Sequence, residues 1–214
     1  MAKKLNKISV DTWIKYSQRS DTGAGLGDAR DPRLKSMFVR LRPESDSEVT
    51  WGEFLTALHA VYAWMPTMLW RRGCPLYSDH YSSAWIKGRR DDVDRILKQY
   101  KTELPPAEVV DRLVKVTNNS VVGLSKLLYL FDPVHFPIWD SRVAYNYLRP
   151  RRKRNVATNI GWYLDWVRDS REWSRDERVI NRIKQLKRRH GRIRRLSNLR
   201  VVELVLFHAF NRRS

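Results

Sequence analysis

Ala107-Glu-Val-Val-Asp-Arg-Leu-Val-Lys-Val116, then Thr117-Asn-Asn-Ser-Val-Val-Gly123, then Leu124-Ser-Lys-Leu-Leu-Tyr-Leu-Phe131 is the run whose reading decides the fold. Apolar residues at helical spacing predict one helix over Ala107–Val116, opened by Pro105-Pro106, and a second over Leu124–Phe131. A short polar turn ending in Gly123 joins them. The loop that follows leads into Phe136-Pro-Ile-Trp-Asp-Ser-Arg-Val143, and Pro133 and Pro137 break the chain before a third helix expected over Asp140–Leu148. Two helices joined by so tight a turn present backbone N–H groups at the hairpin and at the second helix's N-terminus. Such groups can grip a phosphate, and a glycine there lets it approach closely.

Working outward, the pattern stays helical. Val10–Ser20 reads as a short helix with Ser9 or Asp11 near its start. Trp51–Trp70 reads as a long one that Pro66 kinks or ends, with Thr50 and Glu53 as an N-terminal capping pair. Gly73–Gly88 is expected to be an aromatic-rich connector before a helix over Asp91–Tyr100. Beyond the basic connector Arg149-Pro-Arg-Arg-Lys-Arg154, helices are predicted at Asn159–Arg171, Ser174–Arg189 and Ser197–Arg212. The glycines at 23, 25 and 27 lack the strand and the Gly-Lys-Ser/Thr of a phosphate loop, and read as a turn. The expectation is an all-α, compact multi-helix fold in two lobes, forming a single domain over 1–214. Its chemistry lies at about 107–148 and a basic helical part follows at 149–214.

Charge narrows the choice of partner. The 214 residues carry 42 Lys and Arg against 23 Asp and Glu, a net charge of +19. Residues 1–141 hold a net of +4 and residues 142–214 a net of +15. Of the basic residues 29 are Arg, whose planar fork suits phosphate. So concentrated a field repels itself unless an anion compensates it, and double-stranded DNA is the expected partner. An anionic membrane surface fits less well, because the basic segments lack a broad apolar face. No run is apolar enough to span a bilayer and no secretory signal is present, so a soluble, cytoplasmic protein is expected; it is also expected to be a monomer. A single cysteine, Cys74, excludes an internal disulfide and a cysteine-based zinc or iron–sulfur site. The five histidines show no metal-ligand spacing. No cofactor is expected.

The segment Val122-Gly-Leu-Ser-Lys126, an apolar helix, and Pro137-Ile-Trp-Asp-Ser-Arg-Val143 together resemble the helix-hairpin-helix DNA glycosylase superfamily. Members pair a Gly-rich hairpin with a Pro/Val-x-Asp-[ST]-x-Val pattern. The resemblance implies that Asp140 is the catalytic carboxylate, that Gly123 falls on the hairpin glycine, and that Lys126 stands where bifunctional members keep a lysine nucleophile. The phosphate clamp it implies runs from Asn118 to Lys126, including Asn119, Gly123 and Ser125. Arg142 and the run Arg151, Arg152, Lys153 and Arg154 would support it. Lys126 and Asp140 are 14 residues apart, about one helical turn short of the better-known branches. A lysine that opens a DNA-facing helix would keep its charge, so a monofunctional enzyme leaving an intact abasic site is expected.

The chemistry agrees with the resemblance. Cleaving an N-glycosidic bond passes through a sugar with oxocarbenium character, which a buried carboxylate stabilises. Asp140 follows an apolar stretch and opens a helix, whose dipole favours its ionised form; a plain N-cap is the simpler reading of the same position. A flipped base needs a pocket, and Trp139, Tyr129, Trp85 and Tyr81 are the candidates, although most aromatic residues here are expected to be core. The substrate stays open between an oxidised or alkylated base, as in repair, and a hypermodified cytosine of phage DNA, such as its glucosylated hydroxymethyl form, as in antiviral defence. This small basic form resembles the antiphage glycosylases. Rival readings are a non-enzymatic helix-hairpin-helix DNA-binding protein, in which Asp140 only caps a helix, and an RNA-binding factor.

Overall fold

Nine α-helices and two short 3₁₀ turns make up the regular structure of the described residues, with no strand among them. The structure is a computed structural model and describes residues 7–20, 48–64, 83–149 and 156–209. In chain order the helices are α1 (Val10–Ser20), α2 (Trp51–Trp64), α3 (Ser83–Gln99), α4 (Ala107–Val116), α5 (Val121–Phe131), α6 (Ser141–Leu148), α7 (Ile160–Trp173), α8 (Glu177–Arg189) and α9 (Asn198–Ala209). None is long and apolar enough to cross a membrane.

Local chemistry sets most of the boundaries. Thr50 and Glu53 close the expected capping box: the Thr50 N–H and hydroxyl both donate to Glu53, at 2.8 and 2.7 Å, and the Glu53 N–H donates to Thr50 Oγ1 at 3.3 Å. Ser120, Asp140, Asn159 and Asp176 each cap the helix that follows, accepting a backbone N–H. Three helix starts depart from expectation by three residues or more; α8 begins at Glu177 rather than Ser174, because Asp176 caps it. Helix α3 begins at Ser83 and runs through Gly88, where the connector was expected to continue. Gly88 costs a helix interior only about 1 kcal/mol, and the apolar Val93, Ile96 and Leu97 face that α3 buries outweighs it. Helix α5 begins at Val121, three residues early, so Gly123 lies in its first turn. The tight connection is made instead by Asn118 and Asn119, both left-handed at φ 55°. Asn is the non-glycine residue that tolerates this conformation best. The glycines at 23–27 and the basic run 151–154 lie outside the described residues.

The core is continuous. Trp13 of α1 donates its indole N–H to the Val202 carbonyl of α9 at 3.0 Å. The Arg182 guanidinium of α8 donates to the hydroxyl and carbonyl of Ser17 on α1, both at 2.9 Å. Helices α4 and α5 pack on each other, α5 on α2, and α9 on α1, α6, α7 and α8. The last helix thus lies across the end of α6 that carries Asp140. A second tie stabilises the loop before that aspartate: buried Arg171 donates to the carbonyls of His135, Glu103 and Tyr100 at 2.8, 2.9 and 3.1 Å, with its guanidinium over the Phe136 ring.

Candidate active site

Asp140 stands at the N-cap of α6 in extended backbone, and its carboxylate accepts the Val143 N–H at 2.8 Å. The N-cap reading is therefore correct as far as it goes. The peptides just before Asp140 are held on every side. Trp139 N–H donates to Ser125 Oγ at 2.9 Å, and the Ser125 hydroxyl lies 3.2 Å from the Trp139 carbonyl and 2.8 Å from that of Val122. The Trp166 indole donates to the Ile138 carbonyl at 3.2 Å, and the Ile138 N–H donates to Glu203 Oε2 at 3.1 Å.

Four charged side chains act on one another electrostatically here. Lys126 comes from α5, Asp140 from the cap of α6, and Arg200 and Glu203 from α9. Arg200 and Glu203 form an ion pair with side chains only 17% and 2% exposed, and the Arg200 guanidinium lies 5.0 Å from the centre of the Tyr129 ring. Burial lowers the Lys126 ammonium from its ordinary range, although Asp140 and Glu203 favour its charge; Arg200 pushes it lower. Burial raises the Asp140 carboxyl, while the Val143 N–H, Lys126 and Arg142 hold it back. Burial drives Glu203 up to about 6, against the pull of Arg200 and the Ile138 N–H. Arg200 stays charged: burial opposes its charge, but Glu203, Tyr129 and Asp140 support it. A sheltered lysine and a sheltered carboxylate therefore act on each other electrostatically, each shifted toward its neutral form.

Several expected site residues lie elsewhere. Lys126 does not open a helix; with α5 beginning at Val121 it sits in the second turn, where Asp140's charge acts on it. Ser125 is fully buried and its hydroxyl is taken by the Trp139 peptide, so it is not presented to DNA. Gly123 is not the turn residue: it lies in the first turn of α5, and its N–H donates to the capping Ser120 Oγ at 3.0 Å. Trp139 is no pocket wall: it is fully buried, donates to the Ala157 carbonyl at 3.1 Å, and packs against Tyr147 and Trp166. Tyr129 does border the site, half-buried beneath Arg200. Arg142 lies over the Phe207 ring at 4.7 Å and acts on Asp140 through its charge. Asn118 and Asn119 sit in the turn, with Asn119 exposed. Tyr81 and the side chain of Trp85 lie outside the described residues, as do Arg151, Arg152, Lys153 and Arg154.

Arg200 and Glu203 escape a reading of the sequence. One signal was present, since Glu203 is the single acid in an apolar run from Val201 to Phe207. A helix face that buries Val202 and Val205 also buries Glu203, and buried carboxylates are rarely left unpaired. Upstream, between Glu177 and Glu203, the chain holds ten basic residues and no acid. Lys184, Arg188, Arg194 and Arg195 are exposed, and none pairs with an acid among the described residues. This basic stretch leads straight into α9, where the Ser197 hydroxyl donates to the Pro133 carbonyl at 3.3 Å, beside the loop that carries Asp140. No family model, no curated protein and no solved structure matches the chain.

Proposed function

We propose that the chain is a DNA glycosylase of helix-hairpin-helix type, which extrudes a modified base from duplex DNA and cleaves its N-glycosidic bond, leaving an abasic site. The observation that carries this reading is the electrostatic pairing of Lys126 with Asp140 in a buried cluster at the head of α6, the two positions that the resemblance singles out. In the reaction the bond between C1′ and the base nitrogen breaks, and its electron pair leaves with the base. The Asp140 carboxylate stabilises the positive charge that develops on the sugar and orients a water whose oxygen bonds to C1′; Asp140 accepts that water's proton, and the departing base is protonated in turn. The exposed basic stretch from Lys184 to Arg195, with the run at 151–154, supplies the phosphate contacts. The base favoured is a hypermodified cytosine of phage DNA, in a defence role; an oxidised or alkylated base, in repair, is the alternative.

The experiment is base release in single turnover from a panel of duplexes and phage genomes carrying different modified bases. Asp140→Asn keeps the cap and removes the charge. Release falls on the order of a hundred-fold or more, while DNA affinity is kept or rises. A well-folded Asp140→Asn that releases base at the parental rate removes Asp140 from the chemistry, and no release from any member of the panel leaves a DNA-binding protein without enzymatic activity.

One observation favours a second route. A Schiff base needs a neutral amine, and burial moves Lys126 in that direction. Borohydride trapping separates the routes: a covalent protein–DNA adduct that is lost in Lys126→Gln makes Lys126 the nucleophile, and no adduct alongside base release leaves water as the nucleophile.

A further inference from the structure

Glu203 touches no part of the reaction as written, yet it is the most deeply buried acid in the cluster, at 2% exposed. Its Oε2 accepts the Ile138 N–H across 65 residues of chain, two positions before Asp140. The neighbouring ties on the same segment, from Ser125 and Trp166, are made by uncharged groups. An amide or hydroxyl would satisfy the Ile138 N–H equally well, without the cost of burying a charge. The charge therefore needs a role beyond holding one peptide. Glu203 pairs with Arg200 on its own helix, and Lys126 on α5 and Asp140 at the cap of α6 lie within its electrostatic reach, with Tyr129 beneath Arg200. Together they make two cations and two anions in one sheltered volume.

We propose that Glu203 and Arg200 form a positioning pair that fixes the Ile138–Asp140 segment and sets the charge balance between Lys126 and Asp140. Glu203 holds the segment and offsets the two cations. Arg200 holds Glu203 and opposes the charge on Lys126. Removing either member changes the electrostatics at Asp140 even where the fold survives. The effect on turnover presupposes that the chain is a glycosylase; the effect on Lys126 does not.

The test uses the full chain with Glu203→Gln, which keeps an acceptor for the Ile138 N–H, and Arg200→Gln. Lys126 is titrated by NMR in lysine-labelled protein, its resonance assigned by its loss in Lys126→Gln. Glu203→Gln lowers the Lys126 midpoint, because an anion favouring the ammonium is gone. Arg200→Gln raises it, because an opposing cation is gone. In single turnover Glu203→Gln releases base about 10- to 100-fold more slowly at unchanged DNA affinity. It also loses the part of the parental acid limb near pH 6 that belongs to Glu203, and keeps the part set by Asp140. Opposite shifts of Lys126 in the two variants establish the pair. An unmoved Lys126 midpoint, or a loss of melting temperature with the pH profile intact, reduces Glu203 to a structural tie and overturns the proposal. Should Glu203→Gln fail to fold, the Arg200→Gln titration alone decides. If the parent releases no base at all, the glycosylase reading falls while the titration still decides the pair.

Discussion

Trp139 and Asp140 are consecutive residues that belong to opposite environments. Trp139 enters a dry cluster with Tyr147, Trp166 and Trp173, whose rings meet at centroid distances of 5.2 to 6.4 Å in tilted and edge-on arrangements. Asp140 enters the group of Lys126, Arg200 and Glu203. The aromatic side contributes stability from burial and ring packing. The charged side costs stability, because burial pushes three of its members toward neutrality. One rigid segment carries both. The apolar half holds the backbone still, and the polar half uses that stillness to keep like and unlike charges at fixed separation.

Breaking the apolar half has the largest expected effect on stability. Trp166→Ala removes a fully buried indole and its bond to the Ile138 carbonyl, and costs about 3–5 kcal/mol by denaturant unfolding. A loss below about 1 kcal/mol means that the cluster does not anchor the segment. Ser125→Ala probes the seam between the halves. It leaves the Trp139 N–H without its acceptor and costs about 1–3 kcal/mol. Base release falls by more than the stability loss explains if the peptide's position matters to Asp140; proportionate losses refute a positional role.

The smallest effect on stability comes from the outer basic surface. Replacing Lys184, Arg188, Arg194 and Arg195 together by Gln shifts unfolding by no more than about 0.5 kcal/mol per site. DNA affinity instead loses salt dependence, its slope falling by about 0.9 for each phosphate contact removed, equally on all sequences. Base preference stays unchanged. The same holds for Arg151, Arg152, Lys153 and Arg154. A salt slope that does not move places the DNA on another face.

Wherever a local signal decides, the sequence was readable. Pro105-Pro106 marks a helix start by its fixed φ, the Thr50–Glu53 box and the Asp140 cap do so by short-range hydrogen bonding, and the structure keeps all three. The electrostatic effect of Lys126 and Asp140 on each other comes from packing, since nothing local brings the two together. Other features depend on which face a helix turns inward. Ser125 and Trp139 looked like contact residues because polar and aromatic types serve that purpose, yet the packing of α5 against the Asp140 segment encloses both. Gly123 attracted the role of turn residue, while two asparagines took the left-handed positions. Glu203 stood hidden in an apolar run whose partner lies 65 residues upstream. No spacing rule reaches that far.

That long reach has a consequence for biosynthesis. Chains fold as they emerge, N-terminal parts first, at about 5–20 residues per second. The segment bearing Asp140 is complete in sequence well before Arg171 and Glu203, the residues that clamp it from the far side, have been made. At that pace the interval from Ile138 to Glu203 lasts roughly 3–13 s. Throughout it the nascent chain holds an aspartate with no counter-charges from α9 and no carbonyl clamp on the loop before it. The segment that carries Asp140 therefore reaches its clamped form only once α9 has been made.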